Sequence, residues 1–375
     1  MKLLTAQTRV WKAIADDEDA AASLERHLTA ALIAERLVVL TGLGTSRCIK
    51  DVAGTPVAPT MQDLWDQAKK RSDKTFDKVL DRVGWSAEWP DDIELLLSRC
   101  QMAVALKPDE EIAEFIEGTE RGIAEACSFV SSEIDLTVHE TFLRRVARRP
   151  TRLPRTQIFT TNYDLAFEAS AARTGFALID GFSHAHPQRF DGVYFDRDFA
   201  VRDRERSAGA VEWVPNVAQL HKLHGSVDWY ATDGGEVGRD PAQARPLIVY
   251  PRSTKFEISY QQPFLELMAR YQAALRRPET GLIVIGSGFS DDHITEPVMA
   301  AVRSNVRLTG IIISPSLETK DNPHIRKIAG MIESGDHRFA LLAATFEEAV
   351  LRFPDLVAPT ETERHADRVA AASDG

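Results

Sequence analysis

Short apolar runs alternate with stretches of helical period along most of the chain. Residues 20–35 carry apolar side chains at helical spacing. The wholly apolar run at 37–40 that follows is typical of a strand buried on both faces of a parallel sheet. Further strands are predicted at 156–160, 177–180, 217–224, 247–250, 281–285, 308–313 and 338–343. Buried strands that alternate with helices indicate an α/β protein, with a Rossmann-like, doubly wound parallel sheet.

A long segment between the first two of these strands has helical period only. From Met61 to Arg149 apolar residues recur at helical spacing with no strand pattern between them. We therefore predict four parts: the start of the Rossmann core at 1–60, an all-helical insertion at 61–150, the remainder of the core at 151–353, and a polar, mobile tail at 354–375. The insertion ends in a basic run, Arg144 to Arg155. These cations either complement a helix C-terminus or contact a partner or nucleic acid.

The composition excludes several classes of protein. The 375 residues are 44% hydrophobic, with 45 Lys and Arg against 56 Asp and Glu, so the formal net charge is −11. An acidic chain is not expected to bind nucleic acid over a broad face. The three cysteines are too scattered for a disulfide framework or a structural zinc site. With no signal peptide and no apolar run near ~20 residues, we expect a cytoplasmic protein without membrane contact.

Polar residues directly follow four of the predicted strands. These corners are TGLGTS at 41–46, TTNYD at 160–164, LHGSVDW at 223–229 and GSGFSDDHI at 286–294. Ligands of open α/β sheets bind at the carboxyl ends of strands, which makes the corners a candidate site. Other readings stay open: the glycines suit a tight turn as well as a phosphate, and Asn162 and Asp164 could be turn and helix caps. His224 could equally be an ordinary surface or core histidine.

The first corner departs from the dinucleotide fingerprint of dehydrogenases. Arg47 stands where the third glycine would be, and no acidic residue follows a second strand at the usual spacing. An ordinary Rossmann dehydrogenase is therefore disfavoured.

In this order, with a helical segment after the first, the four corners resemble the sirtuin-like superfamily over most of residues 35–320. The chain is most similar to prokaryotic sirtuin-like proteins of antiviral defence, which cleave NAD rather than deacylate proteins. The resemblance implies that Asn162 and His224 act at the nicotinamide ribose and that Asp164 holds the nicotinamide end. The other implied contacts are Gly42, Gly44, Thr45 and Ser46 at the phosphates, Gly286, Ser287 and Asp291 at the adenosine half, and Ser314 near the adenine.

Two departures weigh against protein deacylation. The chain lacks the four-cysteine zinc module of sirtuin deacylases, and Thr161 stands where they usually have glutamine. We therefore expect an NAD glycohydrolase that produces nicotinamide and ADP-ribose, with NAD as substrate and no metal. Asn162 would hold a water or a ribose hydroxyl, and His224 would accept a proton. The alternatives are an NAD-dependent deacylase or ADP-ribosyltransferase, and a non-catalytic sensor of NAD or ADP-ribose.

An unregulated NAD hydrolase would kill its own cell, so regulation is expected. The resemblance implies an anti-phage effector that depletes NAD, a homo-oligomer, and a HerA-family DNA-translocating ATPase as a possible regulator. The helical insertion and the irregular residues 181–216 are the candidate assembly surfaces.

Overall fold

The computed structural model describes residues 1–72, 75–202, 211–232, 234–240, 246–248, 262–319, 321–361, 363–365 and 368–369. Its strands are β1 (Lys2–Thr5), β2 (Lys12–Ala13), β3 (Arg36–Thr41), β4 (Thr156–Thr160), β5 (Ala177–Ile179), β6 (Ala200–Arg202), β7 (Val211–Trp213), β8 (Val217–Lys222), β9 (Trp229–Ala231), β10 (Val237–Arg239), β11 (Thr280–Ile285), β12 (Thr309–Ile313) and β13 (Phe339–Ala343). Its helices are α1 (Glu18–Ile33), α2 (Leu43–Ser46), α3 (Met61–Arg71), α4 (Phe76–Arg82), α5 (Ile93–Leu106), α6 (Glu110–Cys127), α7 (Thr137–Ala147), α8 (Ala166–Thr174), α9 (Phe264–Arg276), α10 (Asp292–Ser304), α11 (Pro323–Glu333) and α12 (Phe346–Val350).

Nine strands form one sheet in the order β2-β1-β13-β12-β11-β3-β4-β8-β5. The seven strands from β13 to β5 pair in parallel, and β1 pairs antiparallel with β13 and with β2. From β3 the chain first winds toward β4 and later returns to the other side of β3 as β11. The strand order therefore reverses between β3 and β11, which is the point where open α/β sheets bind ligands.

Apolar side chains on both faces of the sheet explain why helices cover both. Along β3, Val39 packs in one core cluster with α1, α7, α8 and α12, whereas Val38 and Leu40 pack in another with α9, α10 and α11. All three residues are almost fully buried. Alternating strand residues point to opposite faces, so a strand that is apolar throughout needs helices on each side. The doubly wound α/β fold expected from the sequence is thus confirmed.

The helical insertion between β3 and β4 has a core of its own. Helices α3 to α6 bury Trp65, Phe76, Leu96 and Phe115 in a cluster separate from the two that cover the sheet. Helix α7 differs, although its residues lie within the predicted insertion. Its Phe142, Leu143 and Val146 pack in the sheet cluster that contains α1 and α8, so the helices with a separate core end with α6.

Two arginines of the basic run, Arg148 and Arg149, are used inside the protein. Arg148 is buried and pairs with Asp355 and Glu363 at 3.0 and 2.8 Å, and the Arg149 guanidinium donates to the carbonyl of Ala34. Charges held in this way are not available to nucleic acid. The pairs also attach part of the predicted mobile tail, because the Glu363 side chain is only 7% exposed.

Several elements were not foreseen from the sequence. These elements are the strands β1 and β2, the helix α11 and the short hairpin pairs β6–β7 and β9–β10. Of the expected strand at 247–250, residues 249–250 lie outside the described residues, as do 203–210 of the irregular segment. No helix in the described ranges combines the length and the apolar character needed to cross a membrane.

Two fully buried histidines should make the fold sensitive to acid. Burial lowers the pKa of His139 in α7 to about 4 and that of His221 in β8 to about 3. The His221 ring stacks between Phe159 and Phe195, with centroid distances of 4.4 and 4.0 Å. Below the ordinary histidine pKa of ~6.5 the unfolded chain gains protons that the folded one does not. The free energy of unfolding should therefore have its full value above about pH 6.5. It should fall as the pH drops toward the pKa values that the two histidines have in the folded protein.

When the pH is lowered from about 7.5 to about 5, each of these two buried histidines should lower the free energy of unfolding by about 2 kcal/mol. Urea unfolding at the two pH values measures the loss, and His221→Phe should remove its own share. A variant at position 221 with the same acid sensitivity as the parent would contradict the prediction.

Candidate functional site

A cavity of about 480 Å³ opens at the reversal point of the strand order. Its walls come from the corners after β3, β4, β8, β11 and β12, and from the helical insertion through residues such as Met61, Glu94 and Cys127. Of the residues expected at the site, those that line it are Gly42, Gly44, Asn162, Asp164, His224, Gly286, Ser287, Asp291 and Ser314. A volume of this size is typical of a site for a small molecule or cofactor.

The two glycine corners touch each other directly. The Gly44 amide donates to the Gly286 carbonyl at 2.9 Å, and a Cβ on Gly44 would lie 2.6 Å from the Gly286 Cα. Gly286 also has a φ of +69°, a conformation that favours glycine. The glycines are thus required for the packing of the corners, whatever they contact in a ligand. The amide hydrogens of Gly44 and Thr45 are both bonded within the protein, so these two groups do not point at a phosphate as expected.

Asn162 connects the second corner to the first. Its Nδ2 lies 3.1 Å from the Gly42 carbonyl, 3.1 Å from Thr45 Oγ1 and 2.8 Å from Ser46 Oγ. The side chain is buried, with the residue 8% exposed, yet it lines the cavity. Because the nitrogen side is turned toward the glycine corner, the oxygen Oδ1 is the group that Asn162 can offer to a ligand.

Thr45 and Ser46 lie behind the cavity wall rather than in it. Thr45 donates to the Gly42 carbonyl at 2.9 Å, and Ser46 donates to Asp164 Oδ2 at 2.6 Å. Both are fully buried. Their side chains therefore do not face the phosphates as expected. They form hydrogen bonds within the protein that orient Asn162 and Asp164. Asp164 also accepts from the Ala166 amide at 3.0 Å, at the first residue of α8.

A buried lysine holds the corner after β4 in place. Lys222 is 1% exposed, and its Nζ donates to the carbonyls of Tyr163 and Asp164 at 3.3 and 2.5 Å. It also pairs with Glu168 at 2.9 Å. Burial raises the pKa of Glu168, and the charge of Lys222 opposes that shift. Nothing in the sequence singles out Lys222, because a lysine at the end of a strand gives no sign that it is buried.

His224 is brought to the cavity by a sharp turn after β8. The following residue, Gly225, has a φ of +86°, and a Cβ there would lie 2.1 Å from the Leu247 carbonyl oxygen. The imidazole is 4% exposed and stacks on His293, with a centroid distance of 4.9 Å. Its Nε2 lies 2.9 Å from His293 Nε2 and 3.5 Å from Asp291 Oδ2.

Asp291 and His293 complete this histidine cluster. Asp291 Oδ1 lies 2.5 Å from His293 Nδ1, so the carboxylate is engaged by the histidines rather than presented to an adenosine. In the described part of the chain, His224, Asp291 and His293 are the group that could hold a metal ion, with ligand atoms within 4.8 Å of one another. The expectation of no metal therefore stays a prediction.

Other lining residues were missed or not assigned a role. Arg47 lines the cavity and donates to the Ala58 carbonyl at 2.7 Å. The sequence signal for Arg47 was its position in the first corner, where a cation stands in place of the third glycine of the dinucleotide fingerprint. His293 is part of the fourth quoted corner, but nothing in the sequence pairs it with His224. The three cysteines offer no nucleophile: burial raises the pKa of Cys48, Cys100 and Cys127 to about 12.

A doubly wound parallel sheet with a cavity at its reversal point defines the class of open α/β proteins that bind ligands at this point. Within that class, a family model described as a SIR2-like domain matches residues 156–327, just under half of the chain. Over these residues the chain resembles a SIR2-like domain, which confirms the predicted resemblance to the sirtuin-like family for this part of the chain. The match begins at β4, so the first glycine corner and the helical insertion precede it. Among curated proteins, none matches the chain.

Proposed function

We propose that this chain is an NAD glycohydrolase that releases nicotinamide and ADP-ribose. SIR2-like domains typically belong to enzymes that use NAD. The observation that carries the narrower proposal is that Asn162 and His224, from different strands, line one cavity beside the two glycine corners. Protein deacylation is disfavoured, because the three cysteines are separate and free among the described residues.

The reaction needs little covalent chemistry from the protein. The C–N bond to the ribose C1′ breaks with its electron pair passing to the positively charged nicotinamide ring, which leaves neutral. Water forms the new bond to C1′ of an oxocarbenium-like ribose and loses a proton. The protein must orient the reactants and take up that proton. In the proposal Asn162 Oδ1 accepts a hydrogen bond from the water or a ribose hydroxyl, and His224 accepts the proton.

The direct test is to incubate the purified chain with NAD and to separate the products. Nicotinamide and ADP-ribose formed in equal amounts support the hydrolase. Loss of NAD that requires an acylated peptide would favour the deacylase, and tight binding of NAD without release of nicotinamide would favour the sensor. Repeating the assay with a HerA-family ATPase and DNA tests the proposed regulator. Sedimentation of the same samples tests the proposed homo-oligomer, and phage infection of expressing cells tests the role in defence.

Arg47 is the cation among the cavity-lining residues that the structure describes, and we expect it to contact the pyrophosphate of NAD. Arg47→Ala should raise KM about 10-fold while kcat changes little, because the lost contact is made in the ground state and the transition state alike. Arg47→Lys should recover part of the affinity. Steady-state kinetics on NAD measure both constants. An unchanged KM in Arg47→Ala would place the pyrophosphate elsewhere in the cavity.

A further inference from the structure

The side-chain amide of Asn162 can be oriented in two ways, and its neighbours decide between them. An amide oxygen and an amide nitrogen have almost the same shape, so the hydrogen bonds around them determine which atom lies where. The atom of Asn162 that faces the first glycine corner lies 3.1 Å from the Gly42 carbonyl oxygen. Because a carbonyl oxygen can only accept, this atom must be the nitrogen.

Ser46 provides an independent reason for the same orientation. Its hydroxyl has one hydrogen, which it donates to Asp164 Oδ2 at 2.6 Å. The other carboxylate oxygen, Oδ1, accepts from the Ala166 amide at 3.0 Å. An ionised carboxylate can only accept, so the Ser46 hydrogen is committed to Asp164. The Ser46 oxygen then accepts from the Asn162 nitrogen at 2.8 Å.

Thr45 is committed in the same way as Ser46. Its hydroxyl donates to the Gly42 carbonyl at 2.9 Å, and its oxygen accepts from the Asn162 nitrogen at 3.1 Å. The nitrogen is thus surrounded by three acceptors on the side of the glycine corner. Asn162 also lines the cavity, and Oδ1 is the polar atom of its side chain that remains for a ligand.

We propose that Asp164 sets the direction of this network, and that Ser46 and Thr45 are positioning residues for Asn162. The carboxylate takes the Ser46 hydrogen, which makes the hydroxyl an acceptor for the amide nitrogen and keeps Oδ1 as the atom that accepts from a ligand. Asp164 thus acts through Ser46 rather than through contact with the nicotinamide end. The use of Oδ1 in NAD cleavage rests on the proposed function, whereas the orientation of the amide does not.

Asp164→Asn should reverse the direction of the network. The Ala166 amide can only donate, so the new side chain turns its oxygen toward that amide and its nitrogen toward Ser46. Ser46 then accepts from position 164, and its own hydrogen points at the Asn162 nitrogen. We expect kcat for NAD cleavage to fall roughly 10- to 100-fold, because a small displacement of a group at the reaction centre costs up to ~10²-fold. KM should change little, since Arg47 is untouched.

The decisive variant adds Ser46→Ala to Asp164→Asn. Ser46→Ala alone removes one of the three acceptors and should lower kcat about 3- to 10-fold, the effect of a single hydrogen bond. In the double variant the same change removes the misdirected hydrogen, so kcat should rise above that of Asp164→Asn. If Asp164 held the nicotinamide instead, the second change would give no recovery. A double variant with kcat at or below that of Asp164→Asn overturns the proposal.

Thr45 and an exposed carboxylate provide the matched variants. Thr45→Val keeps the shape of the side chain without the hydroxyl and should lower kcat about 3- to 10-fold, and Thr45→Ser should recover most of that loss. Asp292 has an 84% exposed side chain and does not line the cavity. Asp292→Asn makes the same change of charge and should keep the parental kcat. Equal kcat in Asp164→Asn and Asp292→Asn would overturn the proposal.

The orientation of the amide can also be measured without any activity. In protein labelled with ¹⁵N-asparagine, the side-chain signals of Asn162 are those that disappear in Asn162→Ala. Their hydrogens should exchange with solvent much more slowly than in the urea-unfolded chain, because the nitrogen is buried among three acceptors. Exchange as fast as in the unfolded chain overturns the proposal. Slow exchange in a parent chain that leaves NAD intact would refute the proposed function alone.

Discussion

His224→Ala should lower kcat for NAD cleavage about 10²–10⁴-fold, the range that a general base contributes. The substrate should still bind, because the glycine corners and Arg47 are untouched by the change. KM should therefore vary by only a few fold, and nicotinamide release under saturating NAD measures the effect. His224→Gln should lose the same activity while it keeps an amide group in contact with His293.

A histidine outside the cavity distinguishes a catalytic loss from a general one. His184 is exposed, packs against Phe199 and does not line the cavity, and His184→Ala should retain the parental kcat. If His224→Gln folds and cleaves NAD within a few fold of the parent, His224 is not the base. Asn162→Ala is a less selective test, because its nitrogen holds Gly42, Thr45 and Ser46 together.

Lys222→Met should destabilise the protein by about 3–5 kcal/mol, the usual cost of breaking a buried ion pair from one side. Methionine fills the space of the lysine stem but leaves Glu168 without its cation and the Asp164 carbonyl without its donor. Urea unfolding measures the loss. Activity per folded molecule should also fall, since Lys222 holds the corner that carries Asn162.

Two further variants distinguish the effect of leaving a charge buried and unpaired from the effect of deleting a lysine side chain. Lys222→Met combined with Glu168→Gln removes the unpaired carboxylate and should recover part of the lost stability. Lys2→Met breaks an exposed pair with Glu318 of similar length, 2.8 Å, and should cost less than about 1 kcal/mol. Equal effects of the buried and the exposed lysine would refute the structural role given to Lys222.

The helical insertion contributes part of the cavity wall, which gives it a role beyond an assembly surface. Met61 and Leu64 of α3, with Glu94 and Cys127, face the corners of the sheet across the cavity. Its separate core also includes Val227 and packs against Tyr163, both from segments that adjoin site residues. Any partner that moves these helices would therefore change the shape of the cavity directly.

The elements that the sequence predicted best are those buried on both faces. For β3, β4, β11, β12 and β13 the expected and observed bounds agree within one residue at each end, because a mainly apolar run between polar residues is readily buried as a strand inside a sheet. The strand β1 was missed: it has only four residues, and its partner β13 is distant in sequence. Likewise, α7 was grouped with the insertion because periodicity shows that a helix has an apolar face but not what covers it.

The sequence by itself determined that polar corners follow buried strands. It also determined that these corners lie at one edge of the sheet, because the carboxyl ends of parallel strands meet there whatever the strand order. Which side chains pair there was decided by the tertiary structure. The turn of Asn162 onto the glycine corner, the burial of Lys222 and the contact of His224 with His293 each join residues 58 to 120 positions apart. Such contacts depend on strand order and register, which arise only when the whole sheet has formed.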